Sequence, residues 1–266
     1  MNLAEARRAV RIERKRSGSR PQLDWLGASL AAASPSGVLR AAVERFPRVT
    51  FATGFGLEGC VLIDIIARDR LPIDVFTLDT GLLFAETYEL WRRLEERYGL
   101  AIRGVRPPRT VAEQAAEFGD RLWERNPNRC CHMRKVLPLR TALSGFDAWV
   151  TAIRRDQTRE RSGVAVIEWD DQFALVKINP LAHWDRSTVW TYVRRNQVPF
   201  NPLHDRGYPS IGCVPCTSAV APGEDPRAGR WRGSDRKECG IHTRSVERPA
   251  VWNRENEEIP GDARIG

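Results

Sequence analysis

The chain has 266 residues and a formal net charge of +8, with 42% hydrophobic residues spread along its length. That is enough for one large domain with a buried core, or two small ones. No apolar run approaches the roughly eighteen residues of a membrane span, and no charged region followed by an apolar one marks a secretory signal, so the expectation is a globular cytoplasmic protein.

Of 42 basic residues only Lys15, Lys135, Lys177 and Lys237 are lysines. The arginine surplus suits phosphate and sulfate oxygens, which a guanidinium fork grips with two parallel hydrogen bonds. Acids are interleaved with the bases, and the one dense basic run, 7–20, reads as a solvated tail more readily than as a nucleic-acid arm. Residues 1–20 are accordingly expected to be a flexible basic tail.

Residues 23–46 keep helical apolar spacing, interrupted at Ser34-Pro35-Ser36-Gly37. A strand over 48–53 then runs into Gly54-Phe55-Gly56-Leu57-Glu58-Gly59, and a helix follows. Strand, glycine-rich turn and helix N-terminus together form an anion site, because free backbone N–H groups and the helix dipole point into the turn. No Gly-Lys-Ser/Thr follows, which excludes a Walker loop; close packing is the ordinary alternative for such glycines. A second strand, 73–78, ends at Asp79-Thr80-Gly81, where parallel sheets place ligands, although Asp79 also suits a turn cap. Residues 84–98 form an amphipathic helix, and 101–105 a third strand. The β-α-β-α-β order predicts an α/β fold, an open and mainly parallel sheet with helices on both faces.

Cys130 and Cys131 are adjacent at the predicted start of a helix reaching about residue 143, a position that favours thiolate. A disulfide between neighbours is strained, and a single zinc prefers cysteines two to four residues apart. An iron–sulfur cubane offers separate irons to adjacent thiolates. Cys213-Val214-Pro215-Cys216 supplies a second chelating pair; zinc or a redox disulfide is the plain alternative for that spacing. Lys135 lies four residues after Cys131 on the same helical face. Cys60, at the head of an apolar run, reads as a core residue.

A further strand, 148–153, leads into a charged run, 154–161, whose ordinary reading is a solvated loop. A hairpin is expected around Asp170-Asp171, and a helix capped by Asp185 over 186–196. Residues 221–237 are rich in Gly, Pro, Asp and Arg without apolar periodicity, and are expected to be mobile. Glu238-Cys239-Gly240-Ile241-His242 follows. A cysteine in such a segment is incidental or reactive.

Taken together, these motifs resemble the assimilatory adenylyl-sulfate reductases, the iron–sulfur-cluster-containing branch of the phosphoadenylyl-sulfate/adenylyl-sulfate reductase family. The resemblance runs over roughly residues 40–245. It is carried by Leu78-Asp79-Thr80-Gly81, Cys130-Cys131 with Lys135, Arg155-Asp156-Gln157, Gly212-Cys213-Val214-Pro215-Cys216-Thr217, Arg227-Ala228-Gly229-Arg230-Trp231 and Glu238-Cys239-Gly240-Ile241-His242. It departs from the family pattern at Leu57-Glu58-Gly59, Leu82 and Ser218.

The resemblance implies an adenine-nucleotide α-hydrolase-like fold and a thioredoxin- or glutaredoxin-dependent reduction of adenylyl sulfate to sulfite and AMP, in sulfate assimilation and cysteine biosynthesis. Cys239 is then the nucleophile, and Cys130, Cys131, Cys213 and Cys216 ligate a [4Fe–4S] cluster. Thr53, Gly54, Phe55, Gly56, Asp79, Thr80 and Gly81 form the nucleotide site, with Lys135, Arg161, Arg227, Arg230 and His242 around the anion. The implied organisation is a nucleotide- and cluster-binding domain over 21–220 and a mobile segment over 221–266 that carries the catalytic cysteine. The 3′-phosphorylated nucleotide is the nearest alternative substrate. An ATP pyrophosphatase would need a Ser-Gly-Gly-x-Asp-Ser type loop, and a cluster-bearing nucleic-acid-binding protein would leave Cys239 unexplained.

Overall fold

A computed structural model describes residues 20–242 apart from 235 and 237. The basic tail expected over 1–20 falls almost wholly outside these residues, as does the end of the C-terminal segment beyond 242.

Six strands form one sheet in the order β3-β2-β1-β4-β6-β5. They are β1 Val49–Thr53, β2 Asp74–Leu78, β3 Ile102–Val105, β4 Ala148–Val150, β5 Ile167–Asp170 and β6 Leu175–Ile178. All neighbours are parallel except β5, which closes a hairpin onto β6 at the edge. Two helices, α1 Arg20–Ser29 and α2 Pro35–Arg45, precede the sheet. Ser34 caps α2 by accepting from Gly37 N at 3.1 Å. The break in the helical pattern therefore lies just before Pro35, which starts the second helix because a proline at the first helical position loses no hydrogen bond.

Strand side chains alternate between two cores, as a period of two requires. Ile102, Val75, Phe51, Val150 and Ile178 stand in register across the sheet and share one core with α2, α3 Leu57–Arg68, α4 Ala85–Tyr98 and α9 Arg186–Arg195. On the opposite face Phe76, Trp149 and Leu175 pack with Leu139, Ala142 and Leu143 of α8 Leu137–Leu143. The expected open α/β sheet, covered on both faces, is the observed fold.

Between β3 and α8 lie α5 Val111–Phe118, α6 Leu122–Arg125 and α7 Pro127–Cys131, then a π turn over His132–Val136. The adjacent cysteines thus end a short helix that Asn126 caps, instead of starting a long one. The order of strands places the switch point between β1 and β4, since the chain winds outward from these two strands in opposite directions. Ligands in such sheets bind beyond the carboxyl ends at that point.

Candidate active site

β1 ends at Thr53, and Gly54-Phe55-Gly56 turns the chain into α3. Gly56 is the helix cap and supplies no side-chain hydrogen bond, so the first N–H groups of α3 face the turn with no capping side chain. Phe55 has φ +55°. It is held there by burial, by a stack on Trp91 at 5.7 Å and by its N–H donating to Thr53 Oγ1 at 3.1 Å. Gly59 is needed by contact: a Cβ there would sit 2.7 Å from Thr53 Oγ1. Cys60 is fully enclosed and burial raises its thiol pKa far above the ordinary value, which fits a core residue.

The facing wall follows β4. Here the ordinary reading of a solvated loop holds for Asp156, Arg159 and Glu160 but not for Arg154 and Arg161, which are buried. The Arg154 side chain is only 5% exposed and pairs with Glu58 in the first turn of α3 at 2.9 Å and with Asp156 at 2.9 Å. Glu58 thereby ties the glycine turn to the loop after β4, and removing one partner of such a buried pair costs about 3–5 kcal/mol. Arg161 is also buried; its guanidinium donates to Gln157 Oε1 at 2.5 Å and forks onto both Glu238 oxygens at 2.7 Å.

The two cysteine pairs converge although they lie far apart in sequence. An isolated β-bridge joins Leu83 to Cys213, and Val214 N donates to Leu82 O at 2.8 Å. This sets the Cys213–Cys216 turn against the loop after β2. Cys130, Cys131 and Cys213 are buried, Cys216 is half-buried, and none forms a disulfide. Burial, then the neighbouring Cys131 and Cys213, push Cys130 up to about 11. Burial, then Cys213, Cys131 and Cys130, push Cys216 up to about 11. Burial also raises Cys131. The thiolate-favouring helix start expected for the pair is therefore absent, and the enclosed sulfurs oppose one another's charge. Cys213 alone moves down: burial opposes its thiolate, but Lys135, Thr80 and Arg230 outweigh that. Thr80 Oγ1 lies 3.3 Å from its sulfur.

Such a donor set fits a cationic iron–sulfur group, which would reverse the mutual repulsion of four converging sulfurs. Among the described residues no three His, Cys, Asp or Glu side chains close on one point as a single metal ion would require. Around the quartet, Arg134 is buried and donates to Thr80 O at 2.6 Å and Gln114 Oε1 at 3.1 Å. Neither Arg134 nor Gln114 stands out in the sequence.

Lys135 is half-buried between the quartet and the C-terminal segment. Burial works against its ammonium, but Cys213, Cys239 and Cys131 outweigh that and raise its pKa above the ordinary lysine value. Parts of the C-terminal segment contact the domain here. Thr217 and Arg230 form a β-bridge, Trp231 N donates to Cys216 O at 3.1 Å, and Ile241 joins the core beneath α8. A Cβ on Gly212 would fall 2.3 Å from Arg230 Nη2, so the glycine admits that guanidinium.

One cavity of about 360 Å³ lies at the switch point. Thr53, Gly54, Phe55, Gly56 and Thr80 line it together with Lys135, Arg161, Arg227 and Arg230. Cys239 and His242 reach it from the C-terminal segment, and Cys213 from the quartet. Asp79 and Gly81 are not on its wall. The Asp79 carboxylate instead accepts from Gly81 N at 3.1 Å, Tyr88 Oη at 2.6 Å and Arg106 Nε at 2.9 Å. Five residues of the cavity wall carry buried nitrogens without a partner among the described residues: Trp149 Nε1, both ring nitrogens of His204, Arg230 Nε, Trp231 Nε1 and His242 Nδ1; of these, Arg230 Nε suits an anion. Arg154, Trp149 and Glu238 are further wall residues that sequence patterns do not single out as a site.

Residues 48–219 match the model of the phosphoadenosine phosphosulfate reductase domain. The chain belongs to this reductase family. Among its relatives, adenosine 5'-phosphosulfate reductase 1 of Bacillus subtilis is 50% identical over 196 residues, which are 73% of this chain and 84% of the relative. The adenosine 5'-phosphosulfate reductase of Geobacillus thermodenitrificans is 47% identical over 195 residues, 73% of this chain and 83% of the relative. Among solved structures, phosphoadenylyl-sulfate reductase from Candida auris, a phosphate complex, superposes with a TM-score of 0.69 at 36% identity, covering 77% of this chain and 98% of that one. The family match spans the glycine turn and both cysteine pairs; Glu238, Cys239 and His242 lie beyond it.

Proposed function

We propose that the chain reduces adenylyl sulfate to sulfite and AMP through an S-sulfocysteine on Cys239, within sulfate assimilation. The observation that carries this reading is a cavity whose wall brings Cys239 together with a glycine-rich helix N-terminus and with Lys135, Arg161, Arg227 and Arg230. A phosphosulfate needs that arrangement. Backbone N–H groups and fixed cations neutralise the anion, and they stabilise charge growing on the departing phosphate.

The Cys239 thiolate forms a bond to the sulfonate sulfur. The bond from that sulfur to the phosphate oxygen breaks, and AMP leaves with its electron pair. The dithiol of a thioredoxin or glutaredoxin then becomes a disulfide, which returns Cys239 as a thiol and releases sulfite. Trp149 and His242 close the floor beneath the reacting residues, and Arg154 with Glu58 fixes the distance between the two walls.

Cys130, Cys131, Cys213 and Cys216 would hold a [4Fe–4S] cluster. Bound, it would supply a core whose positive charge offsets the four thiolates, and a covalent tie between two distant segments. The electrons of the reaction come from the external dithiol.

Sulfite release tests this reading. Anaerobic enzyme is given adenylyl sulfate or its 3′-phosphorylated form, each with and without thioredoxin. Turnover with thioredoxin and a higher kcat/KM for adenylyl sulfate are expected. A kcat/KM about tenfold higher for the phosphorylated nucleotide would reverse the substrate assignment, and no sulfite from either would overturn the reaction.

A further inference from the structure

Glu238, the residue before the reactive cysteine, takes no part in the bond changes described above. Its side chain is nonetheless 6% exposed and lies on the cavity wall. Arg161 Nε and Nη2 each donate to one carboxylate oxygen at 2.7 Å, and Arg227 Nη2 lies 3.6 Å from the second. Two parallel charge-assisted bonds of this kind fix orientation as well as position. The fork is itself aimed, because Gln157 accepts from the remaining Arg161 nitrogen at 2.5 Å.

The backbone on either side of Cys239 is also tied. Arg236 Nε donates to Glu238 O at 2.8 Å, and Gln172 Nε2 from the hairpin donates to Gly240 O at 2.8 Å. Gly240 has φ +86°, which turns the chain back toward the domain. Of these ties the carboxylate fork is the one made by buried charges, and it engages the loop after β4, not the segment's own neighbours.

We infer that Glu238 is a positioning residue, a latch whose fork with Arg161 holds the C-terminal segment docked and keeps the Cys239 sulfur over the cavity. The inference rests on the role proposed above for Cys239. It also has a direction. Attack on the bound nucleotide needs the docked segment, whereas delivery of the sulfonate to a separate protein needs it released. Weakening the latch must therefore slow the first half-reaction without slowing the second.

The experiment uses the full chain with its iron content measured, as wild type, Glu238→Gln and Glu238→Asp. Labelling of Cys239 by a bulky neutral maleimide, without nucleotide, reads docking directly. Glu238→Gln should raise that labelling rate about tenfold and lower single-turnover AMP release by about as much, the effect of one lost charge-assisted contact. Sulfite release from pre-formed sulfo-enzyme by a dithiol should stay within about twofold. Glu238→Asp, which keeps the charge on a shorter arm, should fall between the other two. Unchanged labelling in Glu238→Gln overturns the latch, and so does a parallel loss of both half-reactions together with iron. If labelling rises but the wild type releases no AMP, the latch stands and the proposed reaction falls.

Discussion

The indole of Trp149, at the centre of β4, lies face to face with the imidazole of His242, ring centroids 5.8 Å apart and planes 14° from parallel. The stack joins the reactive-cysteine segment to the floor of the sheet. Lys177 approaches the same indole, its Nζ 5.9 Å from the ring, and Arg161 and Arg227 are near enough to act on the imidazole. Burial first, and then these three cations, hold the His242 pKa well below 6.5.

A pH dependence of docking follows. The docked imidazole has a lower pKa than the free one, so only the undocked segment takes up the proton as pH falls below about 6.5. Docking is fully present above that value and weakens by up to about tenfold per pH unit below it, until the docked pKa is reached. Hydrogen exchange of residues 238–242, compared between wild type and His242→Phe at each pH, cancels the chemical pH dependence. The ratio should diverge between pH 7 and 5. A constant ratio would show that His242 does not titrate on undocking.

Cys239→Ser should retain nucleotide binding and iron, yet lose turnover by several orders of magnitude, because a hydroxyl is a far weaker nucleophile than a thiolate. Wild-type enzyme given substrate without reductant should gain about 80 Da on the Cys239 peptide, the mass of SO₃ in a covalent intermediate. An adduct on Cys60 would contradict the burial of that thiol.

Cys131→Ser should lower iron from about four per chain to near none and cut the melting temperature by about 5–15 °C, since a metal group joining distant segments contributes folding energy. Iron analysis and a thermal melt under argon check this. A colourless wild type with one zinc and full activity would refute the cluster.

Gly59→Ala leaves the cysteines alone and strikes the turn. The added methyl would meet Thr53 Oγ1 at 2.7 Å, the atom that accepts from Phe55 N. Either the strand end or the helix start must shift, and KM should rise by about tenfold or more with little change in iron. Steady-state kinetics with an iron assay separate this from unfolding.

The glycine turn, the two cysteine pairs and Cys239 are legible in the sequence because each is a local pattern whose chemistry is carried by neighbouring residues. Arg154 is not, since the partner that justifies its burial, Glu58, is 96 residues away. Nor is the order of strands, which no local spacing encodes. Asp79 shows the reverse case: the sequence offers both a ligand and a turn cap there, and the structure has it holding Gly81 N, Tyr88 and Arg106 off the cavity wall. α5 carries legible signals, the capping box of Thr110 and Glu113 and the helical apolar spacing of Val111, Ala115 and Phe118, although the side chain it buries is the polar Gln114.

The π turn over His132–Val136 is, in effect, one residue more than an α-helix would use. Each residue of an α-helix advances the chain by about 100° around its axis. A turn closed by an i→i+5 bond takes up that residue within itself, so the segments before and after it keep the faces they would have in a continuous helix. The run through this turn into α8 faces two ways at once, toward the core through Leu139 and toward the quartet through Arg134 and Lys135.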